Sequence, residues 1–143
     1  MKKYVYIVLS AFLSFCLVFS ACSSAESKIA PTDAVKECLT SYFSYHEKGD
    51  FDNMKQYCRR NFVKEYFHEK DVFGNATAKL LDFDEIRYDE ENNQYIAQLY
   101  VECVPVEGSA LYDRDNPSGK VKTYIAFVLS VKNGKAIIEG LTE

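Results

Sequence analysis

The sequence predicts an α+β fold in which N-terminal helices pack on a curved antiparallel sheet of about four strands. Between about residues 33 and 69, apolar residues recur at three- and four-residue spacing, which is typical of amphipathic helices. After Gly74-Asn75 the spacing changes to two, which is typical of strands with one buried face. Helices that precede an antiparallel run of strands form an α+β fold rather than a parallel α/β fold.

Three helices are expected in the first half of the domain. The first runs from about residue 33 to 48, with Thr32 as its N-cap and Gly49 at its C-terminal end. Its apolar positions share one face: Val35, Cys38, Leu39, Tyr42, Phe43 and His46. Asp50 is expected to cap a second, shorter helix, and a third is expected over residues 61–69.

Four strands are expected in the second half. Their predicted ranges are 80–88, 94–104, 120–132 and 135–141. The alternation breaks near Asp84-Glu85, which indicates a β-bulge. Asn133-Gly134 supplies the two positive-φ residues of a type I′ turn between the last two strands. A loop containing Pro117 joins the second strand to the third.

The N-terminal segment has the pattern of an export signal. A basic start, Met1-Lys2-Lys3, precedes an apolar run that ends in Ser20-Ala21-Cys22. A transmembrane helix needs about 20 apolar residues, and Ser10 and Ser14 interrupt this run. We therefore predict a signal peptide over residues 1–21, with plain secretion and an uncleaved anchor as the alternatives.

Residues 17–22, Leu-Val-Phe-Ser-Ala-Cys, resemble the lipobox of bacterial lipoproteins, in which a small residue precedes a lipidated cysteine. Phe19 departs from the pattern, since that position is more often Leu. The resemblance implies that Cys22 carries the lipid, that residues 22–31 form a flexible tether, and that residues 32–143 form the domain. The protein is then expected on the extracytoplasmic face of the cell membrane, held by its lipid anchor.

The charge of the predicted mature chain limits its partners. Removing residues 1–21 leaves 122 of the 143 residues and takes away Lys2 and Lys3, so the formal charge changes from −4 to −6. Acidic proteins are repelled by phosphate backbones and anionic lipid head groups. We therefore expect no nucleic-acid binding and no membrane contact beyond the lipid.

Three cysteines remain in the domain, namely Cys38, Cys58 and Cys103. An odd number allows at most one internal disulfide. Cys38 and Cys58 lie at equal distances from position 48, so an antiparallel helix pair would place them at one level, and export favours a bridge. Two buried thiols are the alternative, because packed helix axes lie about 8–10 Å apart and a bridge needs closer Cα atoms.

The sequence predicts no metal site and no cofactor. No two cysteines have C-x-x-C spacing, and His46 and His68 are the only histidines. These features argue against a zinc site and against a thioredoxin-like redox motif.

The order of the elements resembles the NTF2-like cone fold, a family that includes ketosteroid isomerases and SnoaL-type cyclases. The features that carry the resemblance are Tyr42-Phe43, Gly49-Asp50-Phe51, Met54, Tyr57 and the closing hairpin over residues 124–140. The resemblance covers residues 32–143. A cystatin-like fold is the runner-up, although it does not predict the second and third helices.

Enzymes of this family place an Asp, His or Tyr acid/base in the cone cavity, and the resemblance offers His46 and Asp84 as candidates. Such a group needs burial or a charged neighbour to shift its pKa. His46 is equally a core-edge histidine, and Asp84 belongs to an acidic run that is typical of a solvated face. The sequence favours these structural interpretations, so an enzyme is the less expected outcome.

A pocket for an apolar ligand is expected to be lined by aromatic residues. The candidates are Tyr42, Phe43, Phe67, Tyr100, Tyr124 and Phe127. The same aromatics can instead fill the core, which is the interpretation their periodicity favours.

The function predicted from the sequence is a non-catalytic binding or interaction domain on a membrane-anchored lipoprotein. The alternatives are a carrier of an apolar small molecule in the cone cavity and a small SnoaL- or isomerase-type enzyme. The resemblance implies pairing through the exposed sheet face, with a second copy or another protein as partner. Val128, on the outer face of a strand whose inner face is apolar, is consistent with burial on both sides.

Overall fold

The computed structural model describes residues 30–142, which form helices followed by a four-stranded antiparallel sheet. The helices are α1 (Pro31–His46), α2 (Phe51–Met54) and α3 (Arg60–Tyr66), with a 3-10 turn at Lys55–Tyr57. The strands are β1 (Asn75–Asp89), β2 (Gln94–Pro105), β3 (Val121–Lys132) and β4 (Lys135–Leu141), in the order β1-β2-β3-β4. The predicted α+β class is confirmed. The second and third helices, which the cystatin-like alternative does not predict, are also present.

The predicted signal peptide at 1–21 and the predicted lipidation site Cys22 lie outside the described residues. Most of the predicted tether lies outside them as well, but its last residue, Pro31, is the first residue of α1. Within residues 30–142, no helix is long and apolar enough to cross a membrane.

Helix α1 begins two residues before the predicted start and its last residue, His46, lies two residues before the predicted end, although Gly49 terminates it as predicted. Ala30, not Thr32, is the N-cap, because Pro31 occupies the first helical position, where its fixed φ and missing N–H are tolerated. At the other end, the Asp50 N–H donates to the Tyr45 carbonyl and the Gly49 N–H donates to the His46 carbonyl, both at 3.0 Å. With Gly49 at φ +67°, these bonds form a Schellman motif.

The segment after α1 is less helical than predicted. Asp50 caps α2 as expected, since its Oδ1 accepts from the Asn53 N–H at 3.2 Å. The chain then leaves the helical conformation, and Cys58 is extended and forms a bridge beside Ile138 of β4. The next residue, Arg59, donates its N–H to the Ile138 carbonyl at 2.8 Å. Cys58 therefore lies beside the sheet edge rather than on a second helix.

The sheet is a meander whose first strand is irregular. β1 starts at Asn75, five residues before the predicted start, and its pairing with β2 shifts register at three places. The shift between Phe83 and Glu85 lies at the predicted bulge, and such bulges bend a strand and increase its twist. At the closing hairpin, Asn133 and Gly134 have φ values of +53° and +74°, as the type I′ turn requires.

The core lies between α1 and the inner face of the sheet, and Phe127 of β3 is at its centre. The Phe127 ring is fully buried and meets the rings of Tyr42 and Phe43 edge-on, at centroid distances of 5.7 and 5.9 Å. Its ring centroid also lies 5.9 Å from that of Phe73 and 6.3 Å from that of Phe62. A single side chain thus joins the first helix, the third helix and the segment before β1.

Replacing Phe127 with Ala should reduce the free energy of unfolding by about 3–5 kcal/mol, because it removes a buried ring and leaves a cavity. Tyr124→Ala is the matched control on the outer face of the same strand. It should cost about 1 kcal/mol or less, since it removes an exposed cross-strand pair with Tyr100. Urea unfolding followed by circular dichroism measures both. Equal losses would contradict the central position of Phe127.

Candidate ligand-binding cavity

A cavity of about 180 Å³ lies between the C-terminal end of α1 and strands β1 to β3. Its apolar walls include Phe43, Phe73, Ala78, Val101 and Ile125. The polar residues that line it are His46, Asn75, Cys103 and Thr123, and Tyr124 also borders it. None of the lining residues is an aspartate, glutamate, lysine or arginine. The cavity is therefore mainly apolar with a few polar groups, which is typical of small-molecule sites.

His46 is the last residue of α1 and is 1% exposed. Its Nε2 lies 3.5 Å from the backbone oxygen of Asn75, and because a carbonyl oxygen can only accept, Nε2 carries the proton. Its Nδ1 is then an acceptor, and this atom is buried without a protein partner. The ring stacks on Phe43 at 6.1 Å and meets Phe51 edge-on at 6.1 Å.

Asn75 supplies a second unpaired acceptor. It is the first residue of β1 and follows a tight turn in which Phe73 and Gly74 both have positive φ. Its Nδ2 donates to the Phe73 carbonyl at 3.2 Å, which leaves Oδ1 buried without a partner. His46 and Asn75 therefore each have one buried acceptor atom that receives no hydrogen bond from the protein.

Burial controls the charge of His46. Loss of solvation lowers the pKa of His46 from 6.5 to about 4, and the hydrogen bond to Asn75 opposes this only in part. The imidazole is therefore neutral at pH 7, and its Nδ1 keeps its lone pair.

The loop between β2 and β3 lies at the edge of the cavity. Leu111 of this loop lines the cavity and is 40% exposed. The loop is held against the turn before β1, since the Val106 N–H donates to the Gly74 carbonyl at 2.8 Å. Ser109 packs so closely on Gly74 that a Cβ there would lie 3.0 Å from the Ser109 Cβ. Gly74 thus brings the loop and Asn75 to the same site.

The six aromatic residues predicted to line a pocket separate into three groups. Phe43 and Tyr124 border the cavity, and Tyr42 and Phe127 are fully buried in the core. Phe67 packs against Phe62, and the ring of Tyr100 lies against Tyr124 at 5.0 Å on the outer face of the sheet. Four of the six therefore do not line the cavity, and Tyr42 and Phe127 fill the core, the alternative that the sequence favoured.

The two candidate acid/base residues lie in different places. His46 lines the cavity, whereas Asp84 is exposed at the β1 bulge and is not among the lining residues. The other histidine, His68, is exposed, with its Nδ1 3.1 Å from Asp71 Oδ1. Among the histidines, aspartates and glutamates of residues 30–142, only His46 lines the cavity.

The predicted Cys38–Cys58 disulfide is not formed in the structure. Cys38, Cys58 and Cys103 are all free and buried thiols. The prediction assumed an antiparallel helix pair, but Cys58 is extended beside β4, and its Sγ lies 3.5 Å from the Met54 carbonyl oxygen. Burial raises the pKa of the Cys38 thiol to about 12 and that of Cys58 still further, so both are protonated at neutral pH.

No group of three or more His, Cys, Asp and Glu residues within residues 30–142 is arranged to hold a metal ion. The predicted partner surface, the outer face of the sheet, carries the paired rings of Tyr100 and Tyr124, and Tyr124 is 59% exposed. A homodimer or a protein partner through this face stays a prediction.

Sequence reasoning did not identify Asn75, Phe73 or Leu111 as cavity residues. Gly74-Asn75 indicated only the change from helical to strand periodicity. A glycine before a short polar residue is a signal for a positive-φ turn. That signal does not tell which long-range neighbour the turn meets, and so it does not locate Asn75 beside His46.

Lowering the pH from 6.5 to 4 should destabilise the protein through His46. In this range the unfolded chain binds a proton at His46 that the folded chain does not, so the free energy of unfolding falls with pH. The full pKa difference corresponds to roughly 3 kcal/mol. His46→Phe should remove this part of the pH dependence, whereas His68→Phe should keep it. Urea unfolding at several pH values tests this, and identical slopes for wild type and His46→Phe would contradict it.

The comparisons with known proteins find related shapes but no assigned family. No protein-family model matches the chain, and no curated protein matches it. Solved structures similar to it include an NTF2-like protein of unknown function from Shewanella oneidensis, with 12% identity, a TM-score of 0.48 and coverage of 76% of this chain and 94% of that one.

A putative polyketide cyclase from Xanthomonas campestris has 10% identity and a TM-score of 0.43, with coverage of 77% of this chain and 92% of that chain. A cystatin-fold protein from Novosphingobium aromaticivorans has 10% identity and a TM-score of 0.40, with coverage of 75% and 96%. At these values none of the three assigns a ligand or an activity to this chain.

Proposed function

We propose that this chain is an extracytoplasmic lipoprotein whose domain binds a small molecule in the cavity between α1 and the sheet. The observation that carries the proposal is the pair of unpaired buried acceptors, His46 Nδ1 and Asn75 Oδ1, on two residues that line this cavity. Buried polar atoms in proteins are almost always hydrogen-bonded, and each exception needs an explanation. A bound molecule that donates to these atoms is such an explanation.

Binding without turnover is the function that the cavity supports best. His46 is neutral and has a free acceptor nitrogen, which is what a general base requires, so an isomerase- or cyclase-type enzyme is the second candidate. However, no carboxylate lines the cavity to orient the imidazole or to act as its acid partner. Conversion of a bound molecule, seen as a change in its own NMR spectrum, would favour the enzyme.

The lipid anchor is supported by the N-terminal sequence. The basic start, the apolar run and Cys22 are followed by a short polar segment, and the first helix begins at Pro31. A segment from Cys22 to Ala30 reaches about 30 Å when extended, at roughly 3.3 Å per residue. The domain would thus lie close to the membrane surface.

Filling the cavity should abolish binding. Ala78 is buried and lines the cavity, so Ala78→Phe places a ring where the ligand would lie. In the full-length protein in lipid nanodiscs, benzene should shift the methyl NMR signals of Val101 and Ile125 in wild type but not in Ala78→Phe. Ala126→Phe, on the opposite face of the sheet, should behave as wild type. Absence of any shift in wild type, or equal shifts in Ala78→Phe, would contradict the proposal.

Replacing Cys22 with Ala should abolish lipidation, because the thioether needs its sulfur. Cells fed labelled palmitate should label the wild-type chain and the Cys16→Ala control but not Cys22→Ala. Cys16 lies in the segment that is removed, so its loss should have no effect. Equal labelling of all three chains, or labelling of none, would show that Cys22 is not a lipid attachment site.

A further inference from the structure

We propose that the cavity selects a neutral, single-ring molecule whose hydrogen-bond donors pair His46 Nδ1 and Asn75 Oδ1, and that phenol, the simplest probe, donates its one hydroxyl proton to His46 Nδ1. The inference rests on the proposed function, since it names the class of ligand that the cavity takes.

The size of the cavity limits the ligand to about one ring. An apolar protein cavity of about 150 Å³ is large enough to bind benzene, and this cavity is about 180 Å³. Its walls are held in place, because Phe43 and Phe73 both pack on the central ring of Phe127. A molecule of several fused rings would have to displace these side chains, so one six-membered ring with a small substituent is the best fit.

The hydrogen bonds already present determine which polar group the ligand must carry. The His46 Nε2–H is directed to the Asn75 carbonyl, and one of the two N–H groups of Asn75 Nδ2 donates to the Phe73 carbonyl. The two atoms that remain unpaired can only accept. One hydroxyl or N–H group pairs one of them and a second donor pairs the other, whereas a ketone or an ether leaves both unpaired.

The absence of charge around the cavity excludes an ionised ligand. No lysine or arginine lines the cavity to pair with a carboxylate, and no aspartate or glutamate lines it to pair with an ammonium group. His46 itself is neutral at pH 7, because burial lowers its pKa to about 4. An ion that entered the cavity would lose its hydration without gaining a counter-charge, which is strongly unfavourable.

Phenol and toluene test the inference because they have nearly the same shape and differ in the hydroxyl group. Their dissociation constants are measured by NMR titration of the full-length protein in lipid nanodiscs, with empty nanodiscs correcting for partition into lipid. Phenol loses the hydration of its hydroxyl group on binding and toluene does not, so the two dissociation constants are not compared directly. The comparison is instead between the changes that a mutation causes in each dissociation constant.

His46→Phe should weaken phenol binding about tenfold, as expected for the loss of one hydrogen bond. The same change should leave toluene binding within about twofold, since the ring and its apolar contacts remain. Asn75→Ala is the second variant and should weaken phenol binding less than His46→Phe does, because the single phenol hydroxyl donates to His46. His68→Phe, at the exposed histidine, should change neither constant, and benzoate should not bind to wild type.

The outcomes separate the inference from the proposed function. If His46→Phe changes phenol and toluene binding equally, the cavity binds ligands but His46 Nδ1 does not select them, and the inference is overturned while the proposed function stands. If neither phenol nor toluene binds to wild type, both are overturned. Binding of benzoate as tight as that of phenol would also overturn the inference.

Discussion

The fold depends on packing the apolar face of α1 against the inner face of the sheet. The sizes of the side chains on that inner face determine where the packing leaves no space. Near the middle of β3, Phe127 and Leu129 are large and fully buried, and they fill the space beneath the helix. Toward the start of β3 the inner face changes to Thr123, and the neighbouring strands supply Cys103 and Ala78. Smaller side chains fill less space, so the cavity opens at this end, beneath the last turn of α1.

The sequence predicted the elements well wherever one local rule decided them. The alternation along β3, the Asn133-Gly134 turn and the Gly49 helix end each follow from the nearest few residues, and the structure has all three. The predictions were wrong where a competing local choice or a distant contact decided the outcome. Pro31 displaced Thr32 from the start of α1. The pairing of Cys58 with Ile138, a residue far along the chain, replaced the expected second turn of helix.

The candidate site was predictable only in part for the same reason. The position of His46 on the apolar stripe was visible in the helical spacing, and its burial follows from it. Its role was not visible, because the neighbour that engages its Nε2 is the backbone of Asn75, 29 residues away. A hydrogen bond to a backbone carbonyl does not depend on the residue type of the partner, so the sequence contains no signal for it. Likewise, which aromatics fill the core and which border the cavity depends on the sizes of the residues opposite them, and these become known only from the strand register.

The central claim is that a neutral imidazole offers an unpaired acceptor to a cavity ligand. Long-range proton–nitrogen NMR of the His46 ring at pH 7, with and without phenol, tests it most directly. The account predicts one protonated nitrogen, Nε2, and one unprotonated nitrogen, Nδ1, whose resonance moves when phenol is added but not when toluene is added. A doubly protonated ring at pH 7 would contradict the account. So would an Nδ1 resonance that does not shift at phenol concentrations where phenol is bound.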